Sequence, residues 1–583
     1  MVFHVHSAPR CVVKVIRHGL FAVALGLACS TARSQVLVRT FLGESAGDGL
    51  GRAVKIAGDI DGDGFCELIV GATGSDNNGA DSGSVLVYSG LSGDLFYRFD
   101  GEASGDGLGV SVDGAGDVNG DGWPDFIAGA PWGDHNNVMD TGAAFVYSGL
   151  DGSTLHSFYG LSADDGLGWS VGGAGDVNAD GYADVVVGSP GDDSNGPDSG
   201  AAHVFSGFDG SLLYVFHGVS PGDGFGMSVS DAGDVDADGH ADVIVGSPFA
   251  DAIGNDSGSA RVFSGMDGSV LLAFYGSSGD SLGVSVSNAG DVNGDGWPDL
   301  IVGAINEDTN GPQAGSALVY SGWNGSILLA WYGAQAWDGL GWQVADLGDV
   351  NADGHEDVGI ANARGTIFAN SGSDGSLLYA LGLETTGAPV YYLGGNGDVN
   401  GDGFSDFIVG NPSADDNGPN SGVAYVFSGH EHIVPFCLGD GSGGQCPCGN
   451  PGGQGEGCAN AGGSGAVLFG FGTASVGLDD LAFAGQQLIP SQAALLFAGI
   501  NAVNGGNGIP LGDGIRCAGG SVVRLGIQAP DGSGDASWGP GLGAMGGWGA
   551  GDTRRFQVWY RDPGGPCGTG FNLTNGVEVA FSL

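Results

Sequence analysis

The sequence predicts an all-β protein, a seven-bladed β-propeller followed by a small disulfide-containing β-sandwich-like domain. Three observations carry that prediction. A nine-residue Asp-rich motif recurs seven times at near-constant spacing, four short strand-like segments accompany each full recurrence, and six cysteines gather beyond the last one.

The motif is plainest at Asp234-Val-Asp236-Ala-Asp238-Gly239-His240-Ala-Asp242, which leads into the β-branched run Val243-Ile-Val. Oxygen-bearing side chains stand at positions 1, 3, 5 and 9, with glycine at 6 for the turn. That is the front half of an EF-hand-type calcium loop without its helix or its bidentate Glu at position 12. The loops begin at Asp59, Asp117, Asp176, Asp234, Asp291, Asp349 and Asp398, at intervals of 58, 59, 58, 57, 58 and 49 residues, which marks an internal repeat. The short last interval arises because the sixth unit, around Gly359–Phe368, lacks the polar insert found in the others, such as Gly191–Gly200.

In the third unit the four strand candidates are Trp169–Ala174, Ala183–Val187, Ala201–Ser206 and Leu212–His217, separated by turn signals. Seven such units without helical periodicity fit a seven-bladed propeller and exclude a helical solenoid. Two segments compete to complete the last blade. Val36–Gly43 resembles a fourth strand placed ahead of the first loop, and His430–Phe436 follows the third strand of the seventh unit.

Four segments are expected: an export signal over 1–34, the propeller over 35–436, a Cys/Gly-rich connector over 437–462 and the sandwich-like module over 463–583. The signal reading rests on Arg10, Lys14 and Arg17 ahead of the apolar run Leu20–Ala28, with Ala32-Arg-Ser34 as a cleavage site. No later stretch approaches the length of a membrane span. With 15 Lys and Arg against 67 Asp and Glu, the chain carries a formal charge of -52. That charge argues against nucleic acid as a partner and calls for bound cations to offset self-repulsion. Gly is 122 of 583 residues without a three-residue period, so collagen is excluded and many tight turns are implied.

The units resemble the FG-GAP repeats of integrin alpha-subunit propellers and of many exported bacterial proteins. Phe225-Gly226, Leu108-Gly109 and Leu167-Gly168 correspond to the Phe-Gly part, and Gly129-Ala-Pro131, Gly188-Ser-Pro190 and Gly246-Ser-Pro248 to the Gly-Ala-Pro part. The resemblance covers residues 36–436 and implies a secreted or cell-surface protein serving adhesion or extracellular recognition, with an extracellular protein or glycan as partner.

Within the repeats the expected ligand sets follow loop by loop, with a backbone carbonyl at position 7. They are Asp59, Asp61, Asp63, Phe65 and Glu67; Asp117, Asn119, Asp121, Trp123 and Asp125; and Asp176, Asn178, Asp180, Tyr182 and Asp184. The fourth and fifth are Asp234, Asp236, Asp238, His240 and Asp242, and Asp291, Asn293, Asp295, Trp297 and Asp299. The last two are Asp349, Asn351, Asp353, His355 and Asp357, and Asp398, Asn400, Asp402, Phe404 and Asp406. Hard oxygen ligands on a flexible turn suit Ca²⁺ better than Mg²⁺, so about seven structural calcium sites are expected, pinning the first two strands of every blade. The alternative is that Asp, Asn and Gly here only build Asx-type turns. A second recurring carboxylate, at Asp48, Asp106, Asp165, Asp223, Asp280 and Asp338, reads most simply as a turn former.

Beyond Cys437, six cysteines in an exported module read as three disulfides, with Cys446 and Cys448 too close in sequence to pair with each other. Strands are expected at Ala466–Gly470, Leu495–Ala498, Ser521–Ile527, Arg555–Tyr560 and Val577–Ser582. The pattern of Cys446-Pro-Cys448, Cys458, Arg516-Cys517 and Phe556–Asp562 resembles a terminal module on exported planctomycete-type proteins and implies no function.

No catalytic constellation emerges. The string Gly168-Trp-Ser170-Val-Gly172 matches a nucleophile elbow only in letters, because it lies in the first strand of a unit. The carboxylates repeat as equivalent sets, whereas a glycosidase needs one unlike pair flanking a cleft. The reading is therefore a non-enzymatic calcium-binding recognition propeller. A hydrolase acting on an extracellular polymer, or a structural surface or matrix component, stays open as an alternative.

Overall fold

The computed structural model describes residues 37–351, 353–382, 392–401, 404–429, 433–436, 445–452, 456–471, 481–549 and 552–581. The expected signal over 1–34, Cys437 and Asp402 lie outside those residues.

Seven four-stranded antiparallel sheets follow one another along the chain. Each of blades one to six consists of four consecutive strands. The third, for example, is Ser170–Gly175, Asp184–Ser189, Ala201–Phe205 and Leu212–His217, close to the segments expected from sequence. In every blade the second strand is buried along its whole length, as in Glu67–Ala72 and Asp125–Ala130, which is why it reads as an unbroken apolar run rather than an alternation.

Closure is settled by pairing. Leu37–Leu42 pairs antiparallel with Val423–Phe427 and becomes the fourth strand of blade seven. The competing segment, Ile433–Phe436, pairs instead with Gly576–Ala580 of the C-terminal module. The ring therefore closes by joining its two ends in one sheet, with Leu37–Leu42 as the outer strand of the seventh blade.

Apolar clusters form between blades. Ile69, Val85 and Val87 of the first blade meet Phe126, Ala128 and Phe145 of the second, and the other six interfaces repeat the arrangement. At the rim, a fourth-strand Phe stacks on a third-strand aromatic of the next blade: Phe99 on Tyr147, Phe158 on Phe205, Phe216 on Phe263 and Phe274 on Tyr320, with centroids 4.0–4.1 Å apart. Near the axis, the first strands of adjacent blades pack together around the ring. Serine hydroxyls join them there. The N–H of Val171 donates to Ser111 Oγ at 3.1 Å, and Val229, Val286 and Val344 donate in the same way to Ser170, Ser228 and Ser285 of the preceding blade. Ser170 is thus a strand residue with a structural bond, as its position in the repeat implies.

The motif glycines also serve blade contacts. A Cβ on Gly71, Gly129, Gly188, Gly246 or Gly303 would fall 1.9–2.1 Å from the carbonyl oxygen of Gly109, Gly168, Gly226, Gly283 or Gly341 in the following blade. No side chain fits at such a backbone approach.

The C-terminal module has two sheets around one core. A larger sheet, ordered Ile433–Phe436, Gly576–Ala580, Thr553–Asp562, Ala494–Gly499 and Val523–Gln528, faces a three-stranded sheet of Val467–Phe471, Ala482–Gln486 and Ala536–Trp538. Phe483, Trp538, Leu496, Phe556 and Tyr560 from the two sheets share the apolar centre. Cys446 pairs with Cys458 and Cys448 with Cys567, and Cys517 is also disulfide-bonded. The two neighbouring cysteines thus have separate partners, as expected.

Candidate metal centres

Each Asp-rich loop joins the first strand of a blade to its second. Position 1 organises the turn through its carboxylate: Asp59 accepts from the N–H groups of Gly62, Asp63 and Gly64 at 2.7–3.1 Å, and Asp117 repeats this with Gly120, Asp121 and Gly122. Position 5 accepts from the N–H of position 7, as from Phe65 to Asp63 Oδ1 at 2.9 Å. At position 6 the backbone turns left-handed, with φ between 87° and 93° in the six loops where that residue is described, which glycine alone adopts freely. All of this is the Asx-turn chemistry that the plainest alternative requires.

Position 9 goes further. Glu67, Asp125, Asp184, Asp242, Asp299, Asp357 and Asp406 are fully buried. Each uses its two oxygens on two different parts of the blade. Asp242 Oδ2 accepts from Val235 in its own loop at 2.8 Å, and Oδ1 accepts from Gly265 at the end of the third strand at 2.9 Å. Asp125 does the same with Val118 and Gly149, and Asp406 with Val399 and Gly429. The position-9 carboxylate is therefore a staple between the loop and the following hairpin, a role that spacing alone did not reveal.

The side chains converge as well. One carboxylate oxygen from each of Asp59, Asp61 and Glu67 lies within 4.8 Å of the other two, and the same holds for Asp234, Asp236 and Asp242. These are the loops with Asp at position 3; the others carry Asn there. Asn178 Oδ1 and Asn400 Oδ1 are buried without a hydrogen-bond partner, an unspent acceptor at the position where a cation ligand is expected. Asp402 of the seventh set lies outside the described residues.

Burial pushes the position-9 carboxyls up, to about 7 at Glu67, Asp299 and Asp357 and about 6 at Asp125, Asp184 and Asp242. Backbone N–H donors oppose the shift, and the neighbouring loop carboxylates add to it. Desolvation also raises Asp63 and Asp236, each beside two further carboxylates of its own loop, with Asp267 a third neighbour of Asp236. The donor set is all oxygen, largely anionic and short of counter-charge, which fits a hard divalent cation.

Position 7 was expected to contribute its carbonyl, but its side chain has a separate use. A Cβ on Gly62 would meet the Trp123 ring at 2.4 Å, and Gly120, Gly294 and Gly401 stand in the same relation to Tyr182, His355 and Phe65. His240 Nδ1 lies 2.8 Å from the carbonyl oxygen of Val177. Neighbouring loops are thus packed to one another around the ring, and main-chain bonds reinforce the chain: Ala183 N–H donates to Asp117 O and Ala241 N–H to Asp176 O.

The second set of recurring carboxylates caps turns. Asp48, Asp106, Asp165, Asp223, Asp280 and Asp338 each accept from an N–H three residues earlier at 2.6–2.9 Å. In the polar inserts, Asp76, Asp193, Asp251, Asp308 and Asp415 likewise accept from an N–H five residues on. Both sets have the turn geometry of the simpler reading.

The FG-GAP repeat family matches residues 56–88, 108–147, 167–205, 225–263, 282–320 and 390–427. The sixth blade, which lacks the insert and has Ala361 where its neighbours have the contact glycine, falls between the matches. Among curated relatives, integrin alpha-5 of Xenopus laevis is 29% identical over 223 residues, 35% of this chain and 21% of that protein. Integrin alpha-V of Gallus gallus is 30% identical over 225 residues, 35% and 20% of the two chains. The aligned part thus spans about a fifth of these relatives' length. A solved structure described as the crystal structure of BBS1N in complex with ARL6DN, soaked with lead, aligns with a TM-score of 0.44 at 9% identity, covering 69% of this chain and 98% of that one. Among the described residues no helix is long and apolar enough to cross a membrane. Repeat matches, seven four-stranded blades and glycine contacts between them agree: the described residues between Leu37 and Phe427 form a β-propeller of FG-GAP repeats with sequence similarity to integrin alpha subunits.

Proposed function

We propose that the protein is an exported, calcium-stabilised propeller serving extracellular adhesion or recognition, with no catalytic role of its own. The observation that carries the calcium part is the convergence of positions 1, 3 and 9 in the first and fourth loops, joined by the unpartnered amide oxygens of Asn178 and Asn400. Calcium would be held by positions 1, 3, 5 and 9 and the carbonyl of position 7 in each loop. When bound, it supplies positive charge that cancels the mutual repulsion of the loop carboxylates. Asp242 and its counterparts orient the loop against the hairpin, so ion binding and blade packing reinforce each other.

Export and an extracellular setting draw support from the disulfides of the C-terminal module and from similarity to integrin alpha subunits. The partner is an extracellular protein or glycan. The test is an array of matrix proteins and polysaccharides probed with residues 35–583 in calcium and in chelator. Retention that needs calcium is expected, and no retention on any surface in either buffer contradicts the recognition reading.

A further inference from the structure

At the end of the propeller axis away from the Asp-rich loops, the first strands of the blades enclose a cavity of about 280 Å³. Arg52 stands near the start of its strand and Asp59 just beyond its end, roughly 20 Å apart at about 3.3 Å per residue. The two regions are therefore separate sites on one axis.

The chemistry of this cavity is the opposite of the rest of the surface. In a chain with 67 acidic side chains, no Asp or Glu among the described residues lines it, and Arg52 does. Arg52 has no carboxylate within ion-pair distance among the described residues. Its guanidinium lies over the Tyr392 ring at 4.5 Å and makes one long contact, 3.5 Å, to the carbonyl of Val110. Among the described residues most of its donors are unspent. An arginine in a concave, acid-free pocket is suited to bind a carboxylate through its planar fork.

The walls add a second kind of recognition. Trp169 and Trp342 line the cavity from the third and sixth blades. Ser111, Ser170, Ser228 and Ser285 also line it, and each hydroxyl already accepts a backbone N–H from the next blade. Their O–H hydrogens remain to be donated. Two lining tryptophans, of which Trp169 also packs edge-on with Trp132 at 6.3 Å, beside an arc of hydroxyl donors match a compact polyhydroxylated ring, with apolar C–H faces and oxygen acceptors at its edge. The volume admits one such unit. Deeper along the channel the Lys55–Asp113 ion pair, 3.0 Å, and the Asn288–Asp231 bond, 2.8 Å, satisfy the polar groups below it.

We infer that the channel mouth binds a uronic acid residue of an acidic glycan, its carboxylate on Arg52 and its ring between Trp169 and Trp342. This deepens the recognition reading and rests on it for biological meaning, but the site stands on residues that the calcium loops do not use.

The test is titration of residues 35–583, in saturating calcium, with D-glucuronate, glucose and acetate, read by calorimetry and tryptophan fluorescence. Glucuronate is expected to bind and glucose and acetate to bind about tenfold more weakly or not at all. Arg52→Gln should lose at least about tenfold in glucuronate affinity at an unchanged melting temperature, while Arg98→Gln, on the outer strand of the first blade, should lose nothing. If Arg52→Gln does not fold, Trp342→Ala decides, with the same loss expected. Absence of glucuronate binding to the parent chain, equal binding of acetate, or affinity unchanged in the variant that folds would overturn the assignment. Running Arg52→Gln on the glycan and protein array separates the two claims: retained array binding with glucuronate affinity unchanged would overturn this site and leave recognition standing, whereas silence of the parent chain with glucuronate still bound would remove recognition and leave the site.

Discussion

Gly129 and Gly168 meet backbone to backbone between the second and third blades, where a Cβ on Gly129 would lie 1.9 Å from the carbonyl oxygen of Gly168. One glycine belongs to the Gly-Ala-Pro part of its repeat and the other to the Phe-Gly part of the next. The family motif is thus a description of one blade gripping its neighbour. Gly129→Ala is expected to destabilise the propeller by about 3 kcal/mol, because the obstacle is backbone that cannot rotate away. Ala361, at the same position in the sixth blade, should tolerate Ala361→Gly with a change under about 1 kcal/mol. Urea denaturation at fixed calcium measures both.

Position 3 and position 9 of a loop should fail differently. Asp236 is exposed, whereas Asp242 is buried and holds two backbone N–H groups. Asp236→Ala should lower stability in calcium and leave it unchanged or slightly raised in chelator, where one repelling carboxylate is gone. Asp242→Ala should lower it in both, by about 3 kcal/mol in chelator, since two buried donors lose their acceptor. Equal behaviour of the two variants would remove the distinction between ligand and staple.

Acidification should act in opposite directions with and without calcium. Six position-9 carboxyls, Glu67, Asp125, Asp184, Asp242, Asp299 and Asp357, are raised to about 6–7 in the folded chain, above their unfolded range. Between about pH 4 and 7 the metal-free folded state therefore binds more protons than the unfolded one, so stability in chelator rises as pH falls through that window. Calcium competes with those protons, so its stabilising increment should shrink over the same window. Melting curves from pH 8 to pH 5 in the two buffers test the sign.

The strand Leu37–Leu42 closes the ring, and Phe41 stacks on Tyr88 of the first blade at 4.2 Å. Removing residues 35–43 should expose the edge of Val423–Phe427 and leave the seventh blade three-stranded. Loss of melting temperature and growth of higher-order species in size-exclusion chromatography are the expected outcomes.

In the C-terminal module, Cys448–Cys567 closes a loop of 119 residues. Replacing both with serine should cost that module about 5 kcal/mol in the chain-entropy model and leave the propeller's calcium response in place. Differential scanning calorimetry separates the two effects.

Much of this architecture was legible in the sequence because the Asp-rich loop is a local signal repeated at fixed spacing. Blade number, strand order and the loop residues all follow from it. Closure was not legible, since Val36–Gly43 and His430–Phe436 are both plausible edge strands and only the pairing of Gly576–Ala580 with Ile433–Phe436 removes one. The staple at Asp242 depends on Gly265, too far along the chain for any motif to join them. Short strands such as Ala482–Gln486 and Gly570–Leu573 are not legible in the sequence because Gly, Ala and polar residues there carry little alternation. The use of the His240 ring on Val177 belongs to the contact between blades, which no single repeat encodes.

Calcium titration of residues 35–583 by calorimetry, with thermal melts in calcium and in chelator, tests the central claim most directly. Near seven ions per chain, one for each of the seven loops, and a large loss of melting temperature in chelator are predicted. Few or no ions with unchanged melting would contradict it and leave the loop carboxylates as turn formers and staples alone.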